Sequence, residues 1–245
     1  MSSRNLIHRL FVALLLALAV AAHATEGSDS SREAWDNTFS IVARDPATGA
    51  VGAAVSTARL AVGNRVLQVE FGVGAVASQA NTNPMLARDS LDRLRQGATA
   101  QQALDAALQA DERRDERQLS VISSKGTQAV FTGTRPDDYK GHLVGKDMVV
   151  AGNILVGRET LEAMAAAFES TTGTLADRVM AALEAGQNAG GDRRGKISAA
   201  IVVMNEAPGT SGYARNIDLR IDSSKDPVGD LRVLFDAYKA AFKIK

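Results

Sequence analysis

The sequence predicts an α/β chain of the α+β kind, in which two antiparallel sheets are enclosed by layers of helix. Three observations point there. Strand patterns come in blocks separated by pairs of helical patterns, and this block order disfavours a doubly wound parallel sheet. Within a block the strands are joined by short turns, as hairpins require. Residues 197–204, Ile-Ser-Ala-Ala-Ile-Val-Val-Met, form a near-continuous apolar run, the mark of a strand covered on both faces. Once a targeting segment is removed, roughly 220 residues remain, a length that suits one large domain.

The chain opens with Arg4, His8 and Arg9, an apolar run over 10–22, and the small-x-small triplet Ala22-His23-Ala24. This is the pattern of a secretory signal peptide over 1–24, so the protein is expected to be exported to a periplasm or secreted. The run is too short to span a bilayer, and no later segment approaches the ~18 apolar residues that would, so no integral membrane segment is expected after cleavage. Residues 25–37 are polar and acidic, with few apolar side chains before Trp35, and read as a linker or propeptide.

The domain proper is expected over 38–245. Residues 38–43 and 50–56 read as strands of a hairpin across the turn Asp45-Pro46-Ala47-Thr48-Gly49. Residues 65–71 alternate in polarity, and 72–79 form a Gly/Ala-rich strand closed by Asn81-Thr82-Asn83-Pro84. Leucines at 86, 91 and 94, then at 104 and 108, predict a helical hairpin over 85–96 and 99–110. Strands follow at 119–123 and 129–132 across Lys125-Gly126, then at 148–155, with a turn region around Tyr139-Lys140-Gly141-His142. A second helical pair covers 159–170 and 175–185. After the buried strand come a short strand near 219–221 and an amphipathic helix over 228–242.

Composition narrows the chemistry. Acidic and basic residues balance at 28 each and are mixed along the chain, so nothing recruits a nucleic acid. Cysteine is absent, which removes disulfides, thiolate metal sites and a Cys nucleophile. Of the three histidines only His142 lies in the expected mature chain, so a His-rich metal site is excluded and a Ser-His-Asp triad would depend on that one residue. No cofactor or metal is expected.

Several stretches taken together resemble one family. They are Thr38-Phe39-Ser40-Ile41-Val42-Ala43-Arg44-Asp45, Gly72 through Ala80 with Asn83-Pro84, Gly152-Asn153-Ile154-Leu155, Gly190-Gly191-Asp192-Arg193-Arg194-Gly195, Asp218-Leu219-Arg220-Ile221-Asp222 and Asp226-Pro227-Val228. The chain resembles the domain of unknown function 1028, grouped with the N-terminal-nucleophile (Ntn) hydrolases, from Thr38 to about Ala241. The resemblance implies a four-layer αββα sandwich like that of proteasome β subunits, whose reactive group is an N-terminal Thr, Ser or Cys. Two departures stand out. The family's matching Thr often follows the initiator Met, whereas here a signal peptide and residues 25–37 precede Thr38, so a free Thr38 amine requires a second cut. Where relatives often carry Lys or His after the Ser of the second strand, Ala58 follows Thr57.

On this resemblance Thr38 is the candidate nucleophile. An N-terminal residue supplies its own α-amine as base, with a reference pKa near ~8 that suits neutral pH. The reaction expected is hydrolysis of a small amide or peptide-like compound through an acyl-enzyme. Asn81 and Gln79, at the exit of a small-residue strand, are candidate donors to an oxyanion or substrate; the plain alternative is a turn formed by Asn81-Thr82-Asn83-Pro84. Asn153, inside a strand, either binds substrate or satisfies a neighbouring loop. The Gly190–Gly195 loop resembles an anion cradle without the ending of a P-loop. Asp192 is taken to orient Thr38, Arg193 to hold a substrate carboxylate with Ser198 behind it, or the loop is simply structural. A homo-oligomer is also carried as an expectation. The competing reading is a catalytically silent sandwich that binds a cell-envelope ligand or a protein.

Overall fold

The computed structural model of the 245-residue chain describes residues 38–136, 139–206 and 216–244. The expected signal peptide over 1–24 and linker over 25–37 lie outside the described residues.

Among the described residues, ten strands make two sheets. The larger is built from β1 (Thr38–Arg44), β2 (Val51–Thr57), β7 (Tyr139–Gly145), β8 (Met148–Leu155), β9 (Ser198–Met204) and β10 (Ile217–Ile221), in the order β10-β9-β2-β1-β8-β7. The smaller contains β3 (Leu67–Glu70), β4 (Gly74–Ala80), β5 (Arg117–Ser123) and β6 (Gln128–Thr132), in that order. Every neighbouring pair is antiparallel.

Strand alternation then sorts side chains into three apolar layers. Phe39 and Ile41 of β1 and Ile201 of β9 pack with Leu161, Met164, Phe168, Val179 and Phe235 of helices α3 (Glu159–Ser170), α4 (Leu175–Asn188) and α5 (Pro227–Phe242). On the far side, Val76, Leu119 and Val121 pack with leucines of α1 (Pro84–Arg95) and α2 (Ala100–Gln109). Between the sheets lie Val42, Ala53, Val55, Ala75, Ala77, Ile122 and Val149. The result is the four-layer αββα sandwich, with small residues where the sheets face each other.

Local chemistry starts the helices where the sequence places them. Asn83 caps α1, its side chain accepting from the Met85 amide at 3.1 Å, and Pro84 occupies the first turn where no donor is needed. Thr99 with Gln102 opens α2 with a reciprocal capping box, and Thr174 with Asp177 does the same for α4.

One expectation is corrected. The region read as a turn around Tyr139 to His142 belongs to β7, an edge strand paired with β8. It escapes pattern reading because an edge strand is half solvated: Lys140, Gly141, His142 and Gly145 break any apolar alternation, and the backbone ladder to β8 supplies what side chains do not. Among the described residues, no helix is long and apolar enough to cross a membrane.

Candidate functional site

Thr38 heads β1, which lies inside the six-stranded sheet between β2 and β8. Alternation sends Phe39 to the helix side and leaves Thr38 and Ser40 facing the layer between the sheets. Phe39 is fully buried and held by two glycines. A Cβ on Gly186 of α4 would stand 2.7 Å from Met164 Cγ and 3.1 Å from Phe39 Cε2. One on Gly191 would stand 2.9 Å from Phe39 Cε1, at a backbone φ of +59° that already favours glycine. The close fit around Phe39 sets the position of its neighbour Thr38.

Register places Thr38 in a polar row across the end of the large sheet. It stands opposite Thr57 of β2, which stands opposite Ser198 of β9. On the other side Phe39 faces Gly152, so Asn153 comes one step beyond, at the level of Thr38. Thr38, Thr57, Asn153 and Ser198 are all fully buried.

Two of the predicted residues, Gln79 and Asn153, are joined by a third that the sequence reading missed, Gln118 of β5. Gln79 Nε2 donates to Gln118 Oε1 at 2.6 Å, and Asn153 Nδ2 donates to the same oxygen at 3.0 Å. Gln118 Nε2 lies 2.9 Å from the Gly152 carbonyl, 3.0 Å from the Gly141 carbonyl and 2.9 Å from Thr132 Oγ1. Three amide side chains thus bridge the two sheets beside the head of β1. A signal was present: in a strand buried on both faces, a glutamine at the inward position needs a partner.

The remaining predicted residues are occupied in ways that tie loops together. Asn81 turns its amide to Glu116 Oε2 at 2.8 Å, and its backbone oxygen accepts from Arg117. Burial raises the Glu116 carboxyl, but hydrogen bonds from Arg113 and Asn81 outweigh it and hold the group below its ordinary range. Ser198 Oγ donates to the Arg59 carbonyl at 2.6 Å and accepts from the Val62 amide at 3.1 Å. Both bonds anchor the loop after β2.

Asp192, with its side chain buried, accepts from the Ala58 amide at 3.0 Å and the Arg194 amide at 2.9 Å, and pairs with the Arg194 guanidinium at 3.0 Å. The Gly190–Gly195 loop therefore encloses its own anion. The amides of Gly190, Arg193 and Gly195 also donate within the protein, to Gln187, Ile154 and Asp192 carbonyls. Arg193 is exposed at the rim. At position 58, where the sequence lacks a basic side chain, the backbone serves Asp192.

The strands flanking this end finish in left-handed backbone at non-glycine residues: Ile154 at φ +52° after Asn153, and Ala80 at φ +70° before Asn81. A β-branched residue in that region is strained. The bond from the Arg193 amide to the Ile154 carbonyl, at 3.0 Å, holds it.

Two surface depressions lie elsewhere. One, of about 550 Å³, is bordered by Thr48, Thr174, Asn205 and Lys243. The other, of about 370 Å³, lies between α2 and β6 beside Leu104, Arg114 and Phe131. Neither includes a predicted site residue. Among the described residues, no group of three or more His, Asp or Glu side chains is placed to hold a metal ion.

Comparison with known proteins gives a consistent assignment. The crystal structure of protein SPO2555 from Silicibacter pomeroyi, itself matched by the DUF1028 family model, is similar with a TM-score of 0.75. It is 35% identical, over 83% of this chain and 86% of that one. A comparison with curated proteins finds no match. The model of the family of unknown function DUF1028 matches residues 38–231, starting at the threonine that heads β1 and ending within α5. This chain belongs to the DUF1028 family.

Proposed function

We propose that the protein is an exported, periplasmic or secreted amidohydrolase of the N-terminal-nucleophile type, made competent by cleavage of the Asn37–Thr38 bond. The observation that carries this reading is the placement of Thr38. It heads a central strand, faces the layer between two sheets and stands at the level of a buried amide cluster. A freed α-amine would sit beside its own hydroxyl, and the domain would begin at residue 38.

The chemistry balances with that one residue. In maturation, Thr38 Oγ attacks the Asn37 carbonyl carbon, the hydroxyl proton passes to the peptide nitrogen as the C–N bond breaks and frees the α-amine, and water hydrolyses the resulting ester to the Asn37 carboxylate and the Thr38 hydroxyl. With substrate, Oγ attacks the amide carbonyl while the α-amine takes its proton and passes it to the leaving nitrogen; water then frees the acyl group. The second N–H of Asn153, whose first goes to Gln118, is a candidate donor to the developing oxyanion.

The second reading, a silent sandwich binding a cell-envelope ligand or protein, is favoured by the complete burial of Thr38. Intact mass of the purified exported protein separates the two. A species starting at Thr38, absent in Thr38→Ala made in a host-free system, supports self-processing and the hydrolase. A chain that keeps residues 25–37 and is unaffected in ligand binding by Thr38→Ala supports the binder.

A further inference from the structure

We infer that the layer between the sheets holds, at the Gln79–Gln118–Asn153 cluster, a site for a small hydrogen-bond donor, either water or ammonium. The orientation of the three amides follows from bonding logic. Carbonyl oxygens only accept, so the Gly141 and Gly152 carbonyls require the NH2 end of Gln118 to face them. Its oxygen then faces Gln79 and Asn153, and each must present its own NH2. Both neighbours are thereby turned so that their carbonyl oxygens point away from Gln118.

Among the described residues, those two oxygens, Gln79 Oε1 and Asn153 Oδ1, have no protein partner, and neither does the hydroxyl of Ser40. The three residues are 1%, 0% and 1% exposed. Ser40 faces the same layer as Asn153, opposite Ala151 and two positions along β1 from Thr38. Flipping either amide would set its oxygen against the Gln118 oxygen, two acceptors face to face, and satisfy neither. Among the described residues the two amide oxygens are therefore acceptors to which no protein group donates, and a buried acceptor left so is costly. The remedy is a molecule that donates two or more hydrogen bonds.

The chemistry of the acceptors selects the occupant. They are neutral amide and hydroxyl oxygens, and the polar row beside them consists of Thr38, Thr57 and Ser198, without a carboxylate. A divalent cation would find no compensating charge here. Water donates to such oxygens with no charge to compensate, and ammonium with a single charge rather than two. The inference does not rest on cleavage before Thr38: the site is formed by β1, β4, β5 and β8 whether or not that bond is cut.

A high-resolution crystal structure of the full chain, with a second crystal soaked in thallium(I) acetate as an ammonium mimic, tests it. The expected result is a density peak at hydrogen-bond distance from both Gln79 Oε1 and Asn153 Oδ1. A peak without anomalous signal after soaking identifies water, and one that gains anomalous signal identifies an ammonium-type site. In Asn153→Leu the peak should be lost while the backbone of β8 is kept. The inference is overturned if no peak lies there in the wild-type crystal, or if both oxygens are bonded directly to protein donors.

Discussion

At the scale of single residues, Gln118 matters more than any residue the sequence singled out. Gln118→Leu keeps the volume but strips the Gly141 and Gly152 carbonyls and the Gln79 and Asn153 amides of a partner. Each group so stranded costs about 1–3 kcal/mol, so with four of them a loss of about 4 kcal/mol or more is expected in urea unfolding. His142 gives a second residue-level test. Its Nδ1 lies 2.9 Å from Thr132 Oγ1, in a hydrogen bond whose direction follows the ring tautomer. Desolvation lowers the His142 pKa below its ordinary 6.5. Because the folded value is the lower one, the stability this group contributes is complete above pH 6.5 and is lost as pH falls from there through the folded pKa. Proton NMR of the His142 ring should give a midpoint below 6.5, and His142→Gln should flatten that part of the stability profile.

At the scale of elements, the caps that open the helices are set by geometry. The Thr99 and Thr174 hydroxyls accept from the Gln102 and Asp177 backbone amides, and their own backbone amides donate in return to the Gln102 and Asp177 side-chain oxygens. Thr99→Ala and Thr174→Ala should each lower stability by about 1 kcal/mol, measured by thermal or urea unfolding. Thr174→Ala should cost the more of the two, because Asp177 also pairs with Lys239 of α5 and so ties two helices together. β7 shows where element reading fails: a half-solvated edge strand carries little apolar signal, and its existence depends on β8 being beside it. Its Gly141 carbonyl in turn serves Gln118, so the least visible strand helps hold the amide cluster.

At the scale of the molecule, the sandwich is held by three apolar layers and trimmed with ion pairs that respond to acid. Burial by itself raises the carboxyls of Asp111, Glu116 and Asp177. Hydrogen bonds from Arg117 to Asp111, from Arg113 and Asn81 to Glu116, and from Lys239 and Thr174 to Asp177 outweigh it, and all three are held low. A depressed carboxylate contributes stability that is present above its unfolded value, near ~4, and lost as pH falls through the folded value. Unfolding free energy should therefore drop steeply below about pH 4, and Asp111→Asn should make that drop shallower in a urea series at successive pH values. The Asp111–Arg117 pair is the informative one, since its side chains are only 8% and 7% exposed and little screened by solvent.

Sequence alone determined the five helices, nine of the ten strands, the antiparallel block order and the family, because each depends on neighbours two to four positions apart or on short motifs. It also singled out Thr38, Gln79, Asn81, Asn153, Asp192, Arg193 and Ser198 as chemically notable. What those side chains do was decided by tertiary structure. Ser198 meets Arg59 across 139 positions and Asp192 meets Ala58 across 134, and both serve loops. Gln118 reaches Gly152 across 34 positions and gathers Gln79 and Asn153 into one cluster, whereas Asn81 turns away to Glu116. A buried polar group is defined by its partner, and partners this far apart along the chain are brought together only when two sheets close on each other.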